Sequence, residues 1–154
     1  MKPLLSICCI TYNHEKYIAD ALESFLMQET TFPYEIIVHD DASTNKTADI
    51  IKEYEKKYPN KIKKLYQKEN QFSKGKKITF ECVIPHVTGS YIAFCEGDDF
   101  WSDKNKIQKQ IEFLEIEKEC SSCFHGVEVA NTDKKPIGRY LGPVGRGSKE
   151  YAMR

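Results

Sequence analysis

The sequence predicts an α/β protein with a doubly wound, mainly parallel β-sheet, and three observations lead to this fold class. Short apolar runs rich in β-branched residues alternate with amphipathic segments whose apolar residues recur at helical spacing. The amphipathic segments have the length of crossover helices, about ten to fifteen residues. Each of the first apolar runs ends in a polar loop. Strand–helix–strand units of this kind are right-handed and place successive strands parallel to each other.

Each element follows from the period of its apolar residues. The run 4–10 is continuously apolar, which predicts a buried strand, and 17–26 has the apolar face of a helix. The predicted strands are 4–10, 34–39, 61–67, 91–95, 123–129 and 137–141. The predicted helices are 17–26, 46–58, 76–87 with a break at Pro85, and a last one that follows the capping residue Asp103.

Length and charge limit the classes of protein that the chain can represent. Its 154 residues suffice for one hydrophobic core, so we expect one domain over 1–141 and a Gly-rich tail without a terminal element over 142–154. The 23 basic and 23 acidic side chains cancel, which argues against nucleic acid as a partner. The start of the chain has no signal-peptide pattern, and no apolar run has membrane-spanning length. We therefore expect a cytoplasmic protein.

The six cysteines are predicted to be reduced thiols, in agreement with that compartment. Most of them lie inside apolar strands rather than at loop spacings. Cys120, Cys123 and His125 form a C-x-x-C-x-H pattern, but a structural zinc ion needs four ligands and no second pair has such spacing. The pattern therefore does not favour a zinc site.

Ten lysines lie between Lys52 and Lys77, and two interpretations of them stay open. They can form a solvated face and a flexible loop, as most charged runs do. Alternatively they dock on anionic lipid or on a diphosphate. Docking on lipid would make the chain a peripheral protein at the inner face of the membrane.

An acidic loop follows the predicted strand 91–95. The stretch G-S-Y-I-A-F-C-E-G-D-D-F-W contains Glu96, Asp98 and Asp99 directly after the apolar run. Neighbouring carboxylates repel each other and stay ionised at the end of a core strand only if they face water, a donor group or a cation. Mg²⁺ or Mn²⁺ would satisfy them, with water and phosphate oxygens as further ligands. The alternative is an ordinary acidic turn before the helix that Asp103 caps.

Two further polar loops, 11–14 and 40–45, follow the first and second strands. Parallel strands bring such loops to one edge of the sheet, where doubly wound proteins bind their ligands. The first of these loops lacks both G-x-G-x-x-G and G-K-[ST], so glycine amides do not hold a phosphate there. A cation bound between the carboxylates and a diphosphate would take the place of the glycine amides. Carboxylates also accept hydrogen bonds from a base imide or a ribose. Sugar nucleotides offer all of these groups.

Three segments together resemble the successive signatures of family 2 glycosyltransferases with the GT-A fold. They are S-I-C-C-I-T-Y-N-H-E-K-Y-I, E-I-I-V-H-D-D-A-S-T-N-K-T and G-S-Y-I-A-F-C-E-G-D-D-F-W-S-D. Their order and spacing agree with the family, and the resemblance covers roughly residues 4 to 130. It implies that 1–141 is the Rossmann-like, nucleotide-diphospho-sugar-binding half of a GT-A domain.

The resemblance implies a nucleotide-sugar site and a metal site at these loops. The first loop would hold the base, Asp41 would bind it, and Asp98 would face the ribose. Asp99, with Asp98 beside it, would hold Mn²⁺ or Mg²⁺ on the diphosphate. The implied nucleotide-sugar residues are Thr11, Tyr12, Asn13, Asp40, Asp41, Glu96, Gly97 and Asp98.

The implied reaction is inverting transfer of a sugar from a nucleotide-diphosphate sugar, above all a UDP-sugar, to a hydroxyl group. The acceptor would be a saccharide or lipid-linked molecule in polysaccharide or glycoconjugate synthesis. The chain departs from the family in having Glu96 where the D-x-D element begins with Asp. The family's catalytic base has no matching position, and we expect it beyond Arg154. The expected function is therefore donor binding, with weak or absent transfer.

The sequence fits two other functions less well. A phosphoacceptor receiver domain needs an acidic pair after the first strand, where this chain has T-Y-N-H. A non-catalytic donor-binding or interaction module remains the alternative, because an unfinished sheet edge would take a partner chain or a second copy. The four histidines are expected to be structural or solvent-facing. Trp101 is expected to close over the following helix, with stacking on a sugar as the alternative.

Overall fold

The computed structural model describes residues 2–142 and 151–153. The chain divides into two compact units, an N-terminal unit of residues 1–108 and a C-terminal unit of residues 109–154. Within the described ranges, no helix is both long and apolar enough to cross a membrane.

A four-stranded parallel sheet in the order β3-β2-β1-β4 forms the centre of the N-terminal unit. Its strands are β1 (Leu5–Thr11), β2 (Tyr34–Asp40), β3 (Ile62–Tyr66) and β4 (Tyr91–Glu96). The connecting helices are α1 (Ile18–Leu26) and α2 (Thr47–Lys57), and α3 (Lys106–Ile116) crosses the boundary between the units. The predicted α/β class with a parallel sheet is confirmed.

Both faces of the two central strands are buried, which explains why these strands are apolar without alternation. All seven residues of β2 are buried. On one face, Cys8 and Ile37 pack in a cluster with Ile78, Cys82 and Val83. Parallel sheets covered on both faces favour such continuous apolar runs.

The crossover from β3 to β4 differs from the predicted helix 76–87. It contains a π-helical turn, Thr79–Val83, followed by a 3₁₀ turn, Ile84–His86. Pro85 has no amide hydrogen and cannot continue an α-helical hydrogen-bond ladder, so the chain changes its helical type there. Its buried residues Ile78, Cys82 and Val83 pack against Cys8 and Ile37 of the sheet.

Glu35, near the start of β2, links β1, β3 and the segment before β4. The residue is 5% exposed, and its carboxylate accepts hydrogen bonds from the hydroxyl groups of Ser6 (2.6 Å) and Thr88 (2.7 Å) and from the Thr88 amide (3.0 Å). The Lys63 ammonium lies 2.5 Å away. Burial alone would raise the pKa of Glu35, but the hydrogen bonds from Lys63, Ser6 and Thr88 outweigh burial and lower this pKa to about 2.

Glu35→Gln is expected to destabilise the protein in a pH-dependent way. Because the folded-state pKa lies below the ordinary value of 4.5, ionised Glu35 stabilises the fold above about pH 4.5, and this contribution is lost as the pH falls towards 2. At neutral pH, urea unfolding should show a loss on the order of 2 kcal/mol. The difference between the variant and the wild type should shrink below pH 4.5. Glu69→Gln, at an exposed ion pair with Lys74, is the matched control and should change little. A constant difference at all pH values would contradict this account.

Short antiparallel pairs form the C-terminal unit. β6 (Val127–Ala130) pairs with β7 (Pro136–Leu141), and β5 (Ser122–Phe124) pairs with β8 (Tyr151–Met153). The predicted strand 123–129 is therefore two strands. The tail was expected to lack a terminal element, but β8 is one; residues 143–150 and 154 of that tail lie outside the described residues. A single domain over 1–141 stays a prediction.

Candidate functional site

The three polar loops begin at the same edge of the sheet, as predicted. Thr11 pairs with Asp40 at the ends of β1 and β2, and Ile10 pairs with Glu96 at the end of β4. The strands are parallel, so their carboxyl ends and the loops that follow them meet at this edge. We call this region the carboxyl edge.

Hydrogen bonds join the first loop to the second. The Asn13 amide donates to Ser43 Oγ (2.8 Å), and Asn13 Oδ1 accepts from the Thr44 amide (2.8 Å). The Asp41 amide donates to the Thr11 carbonyl (3.0 Å). Asn13 and Ala42 have positive φ angles of 59° and 62°, which non-glycine residues adopt only when their surroundings hold them there. The two loops are thus one preformed substructure.

Asp40 faces into the second loop and Asp41 faces the segment after β3, so neither carboxylate faces solvent. Each residue is 2% exposed. Asp40 accepts hydrogen bonds from the hydroxyl group and the amide of Ser43. Asp41 Oδ1 accepts from the Gln71 amide (2.8 Å), and Asp41 Oδ2 accepts from the Phe72 amide (3.0 Å). Both carboxylates therefore stabilise loop conformations, and their proposed role towards a base comes in addition to that.

The acidic loop after β4 presents its carboxylates to solvent. Glu96, Asp98 and Asp99 are exposed, and the Asp99 amide closes the turn on the Glu96 carbonyl (3.2 Å). Partial burial and the neighbouring charge of Asp98 raise the pKa of Asp99, while His14 lowers it. A cation near Asp98 and Asp99 would relieve this repulsion.

Gly97 brings the first loop against the acidic loop. A Cβ atom at Gly97 would lie 2.7 Å from both Cβ and Oγ1 of Thr11 and 3.1 Å from His14 Nδ1. The Thr11 hydroxyl and His14 Nδ1 are buried and have no hydrogen-bond partner in the protein. His14 Nδ1 also lies 3.8 Å from Asp98 Oδ1. The contact between the first loop and the acidic loop therefore encloses two polar atoms that have no hydrogen-bond partner in the protein.

His14 was expected to be structural or solvent-facing, and its place beside Asp98 was not foreseen from the sequence. The only signal in the sequence is its position within the first polar loop. The approach to Asp98 joins residues far apart in the chain, so spacing could not predict it. Of the predicted residues, Gly97 and Asp98 lie beside His14, and Thr11 lies against Gly97. Tyr12, which follows Thr11, is 43% exposed.

The carboxylates of the acidic loop suit a divalent cation that takes most of its ligands from water and phosphate oxygens. Among the described residues, no group of three or more His, Cys, Asp or Glu side chains could hold a metal ion. The adjacent carboxylates of Asp98 and Asp99 are hard oxygen donors. Mg²⁺ is commonly held by one or two carboxylates together with water and phosphate oxygens, so these residues fit such an ion.

Other candidate features lie away from the carboxyl edge. Trp101 is 6% exposed, its ring centroid lies 4.9 Å from that of Phe25, and the Lys106 ammonium lies 4.1 Å from its centroid. This agrees with the expected structural role. A recess of about 650 Å³ lies near the amino end of β2 and is lined by none of the predicted site residues. Its lining includes Gln28, Tyr34 and Lys61.

The fold and the carboxyl edge together define a protein of the GT-A glycosyltransferase class. Staphylococcus aureus TarS in complex with UDP matches with a TM-score of 0.63 and 28% identity, over 77% of this chain and 33% of that chain. The mannosyltransferase PcManGT from Pyrobaculum calidifontis, in complex with GDP-Man and Mn²⁺, matches with a TM-score of 0.65 and 20% identity, over 85% and 36%. This second likeness concerns the fold alone.

The Glycosyl transferase family 2 model matches residues 6–150, and the chain belongs to that family. The Escherichia coli protein WfaP, a UDP-Glc:alpha-D-GlcNAc-diphosphoundecaprenol beta-1,3-glucosyltransferase, is 39% identical over 117 residues, which are 75% of this chain and 43% of WfaP. The chain spans about a third to a half of the length of the curated relatives that it matches.

Proposed function

We propose that this chain is the donor-binding part of an inverting glycosyltransferase. It binds a nucleotide-diphosphate sugar, in the first place a UDP-sugar, at the carboxyl edge. The sugar is transferred to a hydroxyl of a saccharide or lipid-linked acceptor in polysaccharide or glycoconjugate synthesis. No residue of the chain is proposed as the catalytic base.

The meeting of the three polar loops at one edge is the observation that supports this function. Asn13, Ser43 and Thr44 join the first two loops, and Gly97 lies against the first loop from the third. A nucleotide sugar has base, ribose and diphosphate groups that bind donors and acceptors from several loops. We propose that Thr11, Tyr12 and Asn13 border the base and that Asp40 and Asp41 hold that side of the site in place.

Asp98 and Asp99 are proposed to hold Mn²⁺ or Mg²⁺, and Asp98 also faces the ribose. When bound, the ion supplies positive charge that stabilises the departing diphosphate. Glu96 and Gly97 complete the acidic turn, and the absence of a side chain at Gly97 lets this turn lie against the Thr11 hydroxyl and His14 Nδ1. Both groups are buried and lack hydrogen-bond partners within the protein.

The relatives support the choice of donor and acceptor class. UDP is bound in the TarS structure, and the name of WfaP gives UDP-Glc as its donor and a diphosphoundecaprenol-linked sugar as its acceptor. Because the whole proteins are longer than this chain, transfer itself is assigned here to the complete enzyme.

Calorimetric titration of the chain with UDP in the presence of Mn²⁺ tests the proposal. We expect saturable heat with UDP and Mn²⁺, and a large loss of that heat when EDTA removes the metal. Parallel titrations with GDP and CDP identify the base. Absence of heat with all three nucleotides, from a chain whose circular dichroism shows it folded, would refute donor binding.

A second candidate function is a non-catalytic interaction module, and one observation favours it. β4 is an edge strand in the described sheet and exposes Ile92 (39%) and Phe94 (55%). Such a strand can pair with another chain. UDP-sugar hydrolysis separates the candidates, because slow UDP release that depends on Mn²⁺ indicates an enzyme, whereas dimerisation without any release indicates the module.

A further inference from the structure

The segment Phe72–Lys77, F-S-K-G-K-K, is a protrusion that we call the basic loop. All six of its residues are exposed, and it lies between the buried residues Gln71 and Ile78. It contains three lysines and no acidic residue, and the surrounding stretch 68–77 adds Lys68 and Glu69. The lysine-rich part of the sequence thus includes one compact region of positive charge.

The basic loop has a defined conformation. The Gln71 carbonyl accepts hydrogen bonds from the amides of Lys74 (3.1 Å) and Lys76 (3.2 Å). The Gly75 amide donates to the Phe72 carbonyl (2.9 Å), and its φ of 79° lies in the left-handed region that glycine tolerates. The Asp41 carboxylate anchors the start of the loop through the Gln71 and Phe72 amides. The turn is therefore held in place and presents its side chains outward.

Two phenylalanines project from the same region. Phe72 is 73% exposed and Phe80, in the following π-helical turn, is 69% exposed. They are the two most exposed aromatic side chains among the described residues of the unit, ahead of Phe94 (55%) and Tyr12 (43%). Exposed aromatic side chains among lysines have the composition of surfaces that lie at a membrane interface, where rings enter the headgroup region and ammonium groups meet anionic lipid.

Three other lysines of the lysine-rich stretch pair with acidic side chains. Lys63 pairs with Glu35, Lys64 with Glu55, and Lys52 with Asp49. These pairs reduce the positive charge of α2 and β3. In the stretch 68–77 four lysines face a single acidic residue, Glu69, which pairs with Lys74. The Glu81 carboxylate also lies at this loop and accepts from the Lys77 amide (2.9 Å), but the lysines still outnumber the acidic residues, so the basic loop is complementary to an anionic surface.

We propose that the basic loop docks the protein on an anionic lipid bilayer. Phe72 and Phe80 enter the headgroup region, and Lys74, Lys76 and Lys77 contact anionic headgroups. The Phe72 amide is 3.0 Å from Asp41, so the docked loop adjoins the carboxyl edge. The benefit of docking rests on the proposed function, because docking would bring the donor site close to a lipid-linked acceptor.

Vesicle co-sedimentation of the full chain, without nucleotide or metal, tests this inference separately from donor binding. One set of vesicles contains phosphatidylcholine alone, and the other contains equal parts of phosphatidylcholine and phosphatidylglycerol. We expect binding to the anionic vesicles to be at least about tenfold stronger, and to weaken at about 0.5 M NaCl, where the Debye length falls below that at physiological salt.

Two double variants locate the contact. Phe72→Ser with Phe80→Ser and, separately, Lys76→Glu with Lys77→Glu should each lower the partition coefficient about tenfold or more. The matched controls are Lys56→Glu with Lys57→Glu on α2 and Ile116→Ser, which is 76% exposed, and they should bind as the wild type does. If the phenylalanine variant does not fold, the lysine variant decides. Failure of the wild type to bind anionic vesicles, or equal loss in the controls, would overturn the proposal.

Discussion

Asp99→Asn is expected to lower the affinity of the chain for UDP in the presence of Mn²⁺ by about 100-fold, or about 2.8 kcal/mol. Asparagine has the shape of aspartate but no charge, so the variant loses its proposed contribution to metal binding without creating a cavity. UDP titrated with EDTA present should give the same weak signal for variant and wild type. Calorimetry measures both conditions.

Stability supplies a second readout for this variant. The raised pKa of Asp99 reflects burial and the repulsion from Asp98, so removal of its charge should leave the thermal midpoint unchanged or slightly higher. A structural role for Asp99 would lower the midpoint instead. Asp49→Asn removes an aspartate whose side chain is 73% exposed on α2 and should preserve UDP binding. Undiminished affinity in Asp99→Asn would mean that Asp99 does not hold the metal.

Gly89→Ala is expected to have the largest effect on stability, a loss of about 3 kcal/mol or more of unfolding free energy. A Cβ atom at this position would lie 2.6 Å from the Ser6 nitrogen and 2.7 Å from the Leu5 carbonyl carbon. These are backbone atoms of the central strand and cannot rotate away. The start of β4 would have to move from β1, which would also disturb the hydrogen bond from the Gly89 amide to Ser6 Oγ.

Gly75→Ala is the control for the cost of replacing glycine itself. Nothing lies within 4 Å of its added Cβ, but its φ is positive, so we expect a loss of only about 1 kcal/mol from backbone strain. Chemical unfolding of both variants gives the comparison. Equal losses would show that the contact between Gly89 and β1 is not the cause.

The sheet and its carboxyl edge were predictable because their signals are local. Continuous apolar runs at β1 and β2 reflect burial on both faces, and the parallel crossovers follow from the intervening helices. The polar residues that follow each strand then had to share one edge. Pro85 indicated a break in the segment before β4, although the backbone there forms π and 3₁₀ turns instead of an α-helix.

The hydrogen-bond partners within the site were not predictable, because they join residues that are remote in sequence. Asp41 binds amides of the segment after β3, and His14 lies beside Asp98. No period or motif in a single sequence indicates such pairs. Likewise, the run of lysines gave no indication of which would pair with Glu35 or Glu55 and which would surround Phe72.

The sheet order has a consequence for how the chain folds. β1 is hydrogen-bonded to β2 on one side and to β4 on the other, with Leu5 opposite Tyr91. During synthesis, β1 and β2 can pair early, but one flank of β1 stays open until nearly the entire unit has left the ribosome. Such non-local pairing slows folding in general. We therefore expect β4, the strand that also positions the acidic loop, to dock late in folding.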